Sequence, residues 1–212
     1  VRSSPSKYWG NLTGTMLDNL KEKHMLVYFV DPETQKAVEQ VNFAGRIQDF
    51  NGDYLHINNV NFAGAKSNLF VTEKVTSITK GQSREVTVDY RNPYPHSDCN
   101  EERGGLCLNA TLRNWVRFYV PKGSELESFQ GSLKKIQTYD DLGKTVFEGY
   151  LEVPTQGKAT VVVKYTIPSN LSTKSLLIQK QPGVVNQEWD VKIDGKKVFN
   201  DVLRSDQEVK VD

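Results

Sequence analysis

From about Leu69 onward, hydrophobic side chains alternate with polar ones along several short segments, such as residues 86–90 and 116–120. A period of two places the two sets of side chains on opposite faces of a strand, which is typical of half-buried strands. The same pattern recurs in four further segments, at residues 147–153, 161–167, 176–178 and 189–193. The C-terminal two thirds of the chain is therefore predicted to be mostly β.

Turn residues separate these segments. Pro168 and Pro182-Gly183 follow two of them, and Asp194-Gly195 is a two-residue hairpin signal between two others. Many short strands with Gly, Pro, Asn and Asp between them predict an antiparallel, immunoglobulin-like β-sandwich. We assign this sandwich to residues 67–212.

The first part of the chain follows a different pattern. Apolar residues between positions 12 and 20 recur at helical spacing and predict a helix that ends near His24. The apolar run Met25–Val30 has the length of a short buried strand. Asp31 followed by Pro32 is typical of a helix N-terminus, and a second helix is predicted through Val41.

A helix, a strand and a helix are too few to enclose a core. Residues 1–66 are therefore predicted to be a small α/β segment, the end of a larger α/β domain. The chain begins at Val1 with no basic and apolar leader, from which we expect a processed or excised piece of a longer protein.

Composition excludes some partners. Hydrophobic residues make up 37% of the chain and charged residues 25%, values that are typical of a folded domain. The net charge is only +1, so no single-signed field favours nucleic acid. The longest apolar runs have strand length, so we expect no membrane insertion by this segment.

The two cysteines, Cys99 and Cys107, lie in a segment rich in glycine and proline. A disulfide that closes this loop is the favoured interpretation, and it predicts an extracytoplasmic location at the cell surface or envelope. Two free thiols in a cytosolic loop are the alternative. His96 lies nearby, but the spacing is a poor zinc signature, and no metal is expected.

No common catalytic motif occurs: the sequence lacks a G-x-S-x-G elbow, an H-E-x-x-H pair and a P-loop. His24, His56 and His96 are isolated from one another and are interpreted as structural or solvated. Asp140-Asp141 lacks the alternating oxygen ligands of a calcium loop and is read as a solvated turn. We expect no catalytic residue and no cofactor.

Trp115 and Tyr119 fall on the face of their strand opposite to Val116 and Phe118. In a sandwich one face is core and the other meets solvent or a neighbour, so the two rings are candidates for a contact surface. The alternative is that a loop or the N-terminal segment covers them.

Several stretches, taken in order, resemble the C-terminal portion of the bacterial family called domain of unknown function 4012. They are KH at 23–24, MLVYF at 25–29, DP at 31–32, FAG at 43–45, NFAGAKSN at 61–68, FYVPKGS at 118–124 and LIQKQPG at 177–183. The resemblance implies an envelope-associated protein whose upstream region is distantly similar to LytR-CpsA-Psr polymer ligases. Asn61, Gly64 and Lys66 are its most motif-like polar positions; a turn at the junction of the two parts is the alternative reading.

The sequence thus favours a non-catalytic, extracytoplasmic structural or binding module of a bacterial envelope-associated protein. Its expected partners are a glycan, an envelope protein or a neighbouring domain of the same chain. The alternative is the accessory C-terminal part of a cell-wall polymer-transferring enzyme whose active site lies upstream.

Overall fold

The computed structural model of the chain describes residues 6–211. In this range the helices are α1 (Trp9–Lys21) and α2 (Pro32–Gln40). The strands are β1 (Asp53–Asn61), β2 (Thr72–Lys80), β3 (Ser83–Asn92), β4 (Leu112–Pro121), β5 (Glu125–Gln130), β6 (Gln137–Asp141), β7 (Lys144–Val153), β8 (Gly157–Thr166), β9 (Ser175–Gln179), β10 (Gln187–Ile193), β11 (Lys196–Val202) and β12 (Gln207–Lys210).

These strands form two six-stranded sheets. The first sheet has the order β12–β9–β1–β4–β7–β6, and the second has the order β11–β10–β2–β3–β8–β5. Most neighbours are antiparallel, but β1 pairs with β9, and β2 with β10, in parallel. The predicted mostly-β sandwich is confirmed, with one parallel pair in each sheet, whereas its immunoglobulin-like form stays a prediction.

The core lies between the two sheets and is made of the residues that alternate inward. Val86 and Val88 of β3 and Val116 and Phe118 of β4 belong to one cluster of fully buried side chains. The predicted inward residues lie in this core on each strand, but β7 and most of β9 are buried on both faces rather than half-buried. Truncation of any one of these side chains to alanine removes packing worth about 2 to 5 kcal/mol.

The hairpin at Asp194-Gly195 is also confirmed. These two residues join β10 to β11, and both have positive φ, 48° and 82°. A two-residue turn of this kind matches the twist of the flanking strands, and aspartate and glycine are the residues that accept its backbone conformation most readily.

The two predicted helices are present. Asp31 caps α2 by accepting a hydrogen bond from the Thr34 backbone N–H at 2.9 Å, and Pro32 is the first helical residue. The first helix ends at Lys21, slightly before the position predicted near His24. No helix of the described residues is long and apolar enough to cross a membrane.

The predicted strand Met25–Val30 is wrong. The segment is irregular, and most of its apolar side chains are exposed; Tyr28 is 73% and Val30 87% accessible. Two backbone bonds hold it, from Met25 N–H to the Asn19 carbonyl at 3.1 Å and from Val27 N–H to the Phe43 carbonyl at 3.0 Å. An apolar run becomes a strand only where a sheet edge can pair with it, and here neither sheet extends to this segment.

A polar network attaches the N-terminal segment to the sandwich. The Asp206 carboxylate, just before β12, accepts hydrogen bonds from Lys23 Nζ and Asn42 Nδ2, both at 2.7 Å, and from Gln48 Nε2. The Lys180 backbone N–H donates to its second oxygen at 2.8 Å. Lys23 is almost wholly buried, so this ion pair is shielded from solvent.

The sandwich begins before residue 67. Strand β1 occupies an inner position of the first sheet, between β9 and β4. The predicted boundary between residues 66 and 67 therefore falls inside the sandwich. Whether the residues before β1 end an upstream domain stays a prediction. Residues 1–5 and 212, at the outer ends of the two predicted ranges, lie outside the described part of the chain.

A buried ion pair joins the two sheets at the start of β1. Arg84 Nε of β3 donates to Asp53 Oδ2 at 2.6 Å, and both side chains are 1% exposed. Arg84 Nη1 also donates to the Gly81 and Ser83 carbonyls. A buried charge is tolerated only with such partners, so each member of the pair depends on the other.

Arg84→Met leaves the Asp53 carboxylate buried without its cation. We expect the free energy of unfolding to fall by about 3 to 5 kcal/mol, because one partner of a buried pair has been removed. The double variant Asp53→Asn with Arg84→Met removes both charges and should recover most of that loss. Urea denaturation followed by fluorescence measures both variants. Additive losses would contradict a direct interaction.

Candidate functional site

The structure joins Cys99 and Cys107 in a disulfide, as predicted. The bond closes a loop between β3 and β4 that lies largely at the surface. His96 Nδ1 is 4.0 Å from Cys99 Sγ, and no group of three His, Cys, Asp or Glu side chains among residues 6–211 is arranged to hold a metal ion.

Trp115 and Tyr119 occupy different environments on the outer face of the first sheet. Tyr119 is only 7% exposed, because Ile47 and Phe50 of the N-terminal segment pack against its cluster. The N-terminal segment therefore covers Tyr119, and this ring is not part of an open surface. Trp115 is half-buried against Tyr150, with ring centroids 5.3 Å apart, and its role in a contact surface stays a prediction.

The three motif positions, Asn61 at the end of β1 and Gly64 and Lys66 after it, are not brought together. Asn61 Nδ2 donates to the Ala65 carbonyl at 2.9 Å, and the Ala63 N–H donates to Asn61 Oδ1, which shapes the following turn. Gly64 and Lys66 are exposed. Asn61 thus orders the turn that follows β1, and it also lines the pocket described next.

That pocket lies where the strands of the two sheets end, opposite the Asp53–Arg84 pair along β1. It is a cavity of about 290 Å³, open on one side. The polar wall comes from Asn59, Asn61, Asn68, Glu73, Asn114 and Gln181, and the apolar wall from Leu69, Val71, Leu112, Pro182, Val184 and Val185. Two stretches of the family resemblance, 61–68 and 177–183, contribute to these walls.

Glu73 is the ionisable group of the pocket. Its carboxylate accepts hydrogen bonds from Gln187 Nε2 at 2.6 Å and from Asn59 Nδ2 at 3.0 and 3.2 Å. The side chain lines the cavity, and part of its surface stays accessible to solvent. Burial raises its pKa from the ordinary 4.5 to about 7, against the lowering effect of the Gln187 and Asn59 hydrogen bonds.

Asn59 places Glu73 by connecting the two sheets. Its Nδ2 binds the Glu73 carboxylate, while its Oδ1 accepts from Tyr90 Oη of β3 at 2.8 Å and from Asn114 Nδ2 of β4 at 2.7 Å. Trp189 Nε1 in turn donates to Gln187 Oε1 at 2.7 Å. Each amide therefore has its orientation fixed by a second neighbour.

Asn114 has one unsatisfied atom. The residue is 1% exposed, and its Oδ1 accepts no hydrogen bond from any residue in the range 6–211. A buried acceptor without a donor costs free energy, so this oxygen destabilises the fold locally.

The pocket carries one negative group and no positive one. Among the described residues that line it there is no lysine, arginine or histidine. Tyr90 is the titratable side chain that faces Glu73, and burial raises its pKa well above the usual value, so it stays neutral. The remaining polar groups are carboxamides. Such a set can hold and orient a ligand, but it contains no nucleophile beside a base.

The sequence contains a signal for this pocket in the polar residues that occupy inward strand positions, which a search for apolar residues alone passes over. Glu73 is in phase with Val75 of β2, and Asn59 is in phase with Leu55 and Ile57 of β1, so both polar side chains point inward with the core residues. A polar residue at an inward position near a strand end is the mark of a buried polar site.

His56 lies outside the pocket and is structural. Its Nδ1 is 2.9 Å from the Gln179 carbonyl, and burial lowers its pKa, which favours the neutral ring. This placement agrees with the interpretation of His56 as a structural residue.

Comparison with known proteins gives little similarity. No protein-family model and no curated protein matches the chain. One solved structure, of a candidate nutrient binding protein from Legionella pneumophila, is similar over 74% of this chain and 70% of that one. The TM-score is 0.35 and the sequence identity 7%.

Removal of the disulfide should weaken the fold without abolishing it. For Cys99→Ala with Cys107→Ala we expect the free energy of unfolding to fall by about 2 to 3 kcal/mol, because the loop is short. Far-ultraviolet circular dichroism should not change. Loss of the β spectrum would mean that the bond holds the sandwich together rather than one loop.

The raised pKa of Glu73 predicts a pH dependence. The folded protein keeps this proton up to about pH 7, whereas the unfolded chain releases it near its ordinary pKa of 4.5. The protonated Glu73 side chain therefore makes its full contribution to stability below the unfolded-state pKa of 4.5. This contribution is lost as the pH rises through the folded-state pKa of about 7. The loss amounts to about 3 kcal/mol.

Glu73→Gln should abolish this contribution. Relative to the parent protein, its free energy of unfolding should increase between pH 4 and pH 8 by about the same 3 kcal/mol. The exposed Glu125 of β5 provides the control, and Glu125→Gln should follow the parent at every pH. Parallel curves for the parent and Glu73→Gln would contradict a raised pKa.

Proposed function

We propose that this chain is a non-catalytic binding module and that the pocket around Glu73 is its ligand site. The observation that carries the proposal is a carboxyl group held at an inward position by amides, in an open cavity, without a cation. Pure core packing would favour an apolar residue at that position, because burial of an unpaired carboxyl destabilises the fold. A side chain that lowers the stability of the fold is typical of a functional site.

The cavity also has the form of a small-ligand site. It combines an apolar wall with a few convergent polar groups, and its volume of about 290 Å³ suits a small molecule or one side chain of a larger ligand. The amides are fixed before a ligand arrives, which reduces the entropy lost on binding.

The proposal places the module outside the cytoplasm of a bacterium, in an envelope-associated protein. The Cys99–Cys107 disulfide supports an oxidising compartment. The bacterial envelope is supported by the sequence resemblance alone. A glycan, an envelope protein and a neighbouring domain of the same chain are the partners considered. The accessory role beside an upstream polymer-transferring enzyme rests on that resemblance as well.

Fragment binding tests the site. We expect fragments of about six to ten heavy atoms to shift the backbone amide signals of residues 59–73 and 181–187 in two-dimensional nuclear magnetic resonance spectra. Val185 lies at the mouth of the pocket and is exposed, so Val185→Trp should fold normally and abolish these shifts.

Leu133 is similarly exposed and does not line this pocket, so Leu133→Trp is the matched control and should bind as the parent does. Shifts that persist in Val185→Trp would place binding elsewhere. No shifts in the parent protein with a diverse fragment set would overturn the proposed site.

A further inference from the structure

The sandwich contains two inward-facing carboxyl groups near opposite ends of β1, and their surroundings differ. Asp53 is paired with Arg84 Nε at 2.6 Å. Among residues 6–211, Glu73 receives hydrogen bonds only from the carboxamides of Asn59 and Gln187. Within one core, therefore, one carboxylate is paired with a cation, and the other has none among the described residues.

The cavity beside Glu73 is open where a cation would enter. The carboxamide residues Asn61 and Gln181 also line this cavity. An ammonium group carries three donors and a positive charge, and it could satisfy a carboxylate together with amide oxygens. A carboxylate or phosphate ligand would instead meet a negative group with no lysine or arginine on the wall.

We propose that the pocket binds a primary ammonium group on a short apolar stem, with Glu73 as its counter-ion. This inference rests on the proposed function, because it names the ligand class of the same pocket. The ammonium pairs with the Glu73 carboxylate in the same way as the Arg84 guanidinium pairs with the Asp53 carboxylate. The stem lies against Leu69 and Val184, which form part of the apolar wall.

Proton linkage follows from this arrangement. Glu73 must be ionised to pair with the ammonium, and Tyr90 facing it stays neutral, so affinity for the amine should increase as the pH rises from 5 to 8. A neutral ligand of the same shape has no such dependence.

The test uses n-butylamine, which is protonated throughout this pH range, and n-butanol as its neutral isostere. At pH 8 we expect the amine to bind at least about tenfold more tightly than the alcohol, as measured from amide shifts. Sodium butyrate should not bind. From pH 8 to pH 5 the affinity for the amine should fall about tenfold or more, while that for the alcohol stays constant.

Variants assign the effect to Glu73. Glu73→Gln should remove the preference for the amine, whereas Glu125→Gln should leave it unchanged. If Glu73→Gln does not fold, the pH series on the parent protein decides, because it needs no substitution. Equal binding of amine and alcohol at pH 8, or an amine affinity independent of pH, overturns this inference. If fragments bind in the pocket without a preference for ammonium, the result agrees with the proposed function and contradicts only the inference about the ammonium ligand.

Discussion

The hydrogen bonds between Asn59 and Gln181 determine how the first sheet ends and hence where the pocket lies. Strand β9 runs parallel to β1 only as far as Gln179, and Pro182 cannot extend the ladder. The Gln181 carboxamide replaces the missing strand: its Oε1 accepts from the Asn59 N–H at 2.7 Å, and its Nε2 donates to the Asn59 carbonyl at 2.9 Å. The backbone is satisfied while the space beyond it stays open.

Satisfaction of buried polar groups governs both ends of β1. Leu55 and Ile57 fill the middle of its inner face, and Asp53 and Asn59 stand at the ends. At the first end the Asp53–Arg84 ion pair closes the sandwich, although Arg84 Nη2 has no hydrogen-bond partner among residues 6–211, whereas at the other end a network of amides holds a carboxyl beside an open cavity. The same constraint therefore produces a closed structural contact at one end and an open site at the other.

Features of the fold that depend on residues close together in the sequence could be predicted, and features that depend on distant residues could not. Alternation and turn chemistry are local, so the inward residues of β3 and β4 and the turn at Asp194-Gly195 were predictable. The segment 25–30 was not, because its state depends on whether a distant sheet edge is available. The pocket required knowledge that residues more than one hundred positions apart, Asn59 and Gln181, are neighbours.

The two parallel pairs have a consequence for the order of folding. Strand β1 has β9 as one of its neighbours and β2 has β10, so each sheet needs a strand that is made after more than one hundred intervening residues. Contacts with such large sequence separation close late and slowly. A nascent chain that has exposed only its first two thirds still has one unpaired edge on each of these strands. During synthesis those edges are open to pairing with other chains, and a chaperone that covers them would act on this stage.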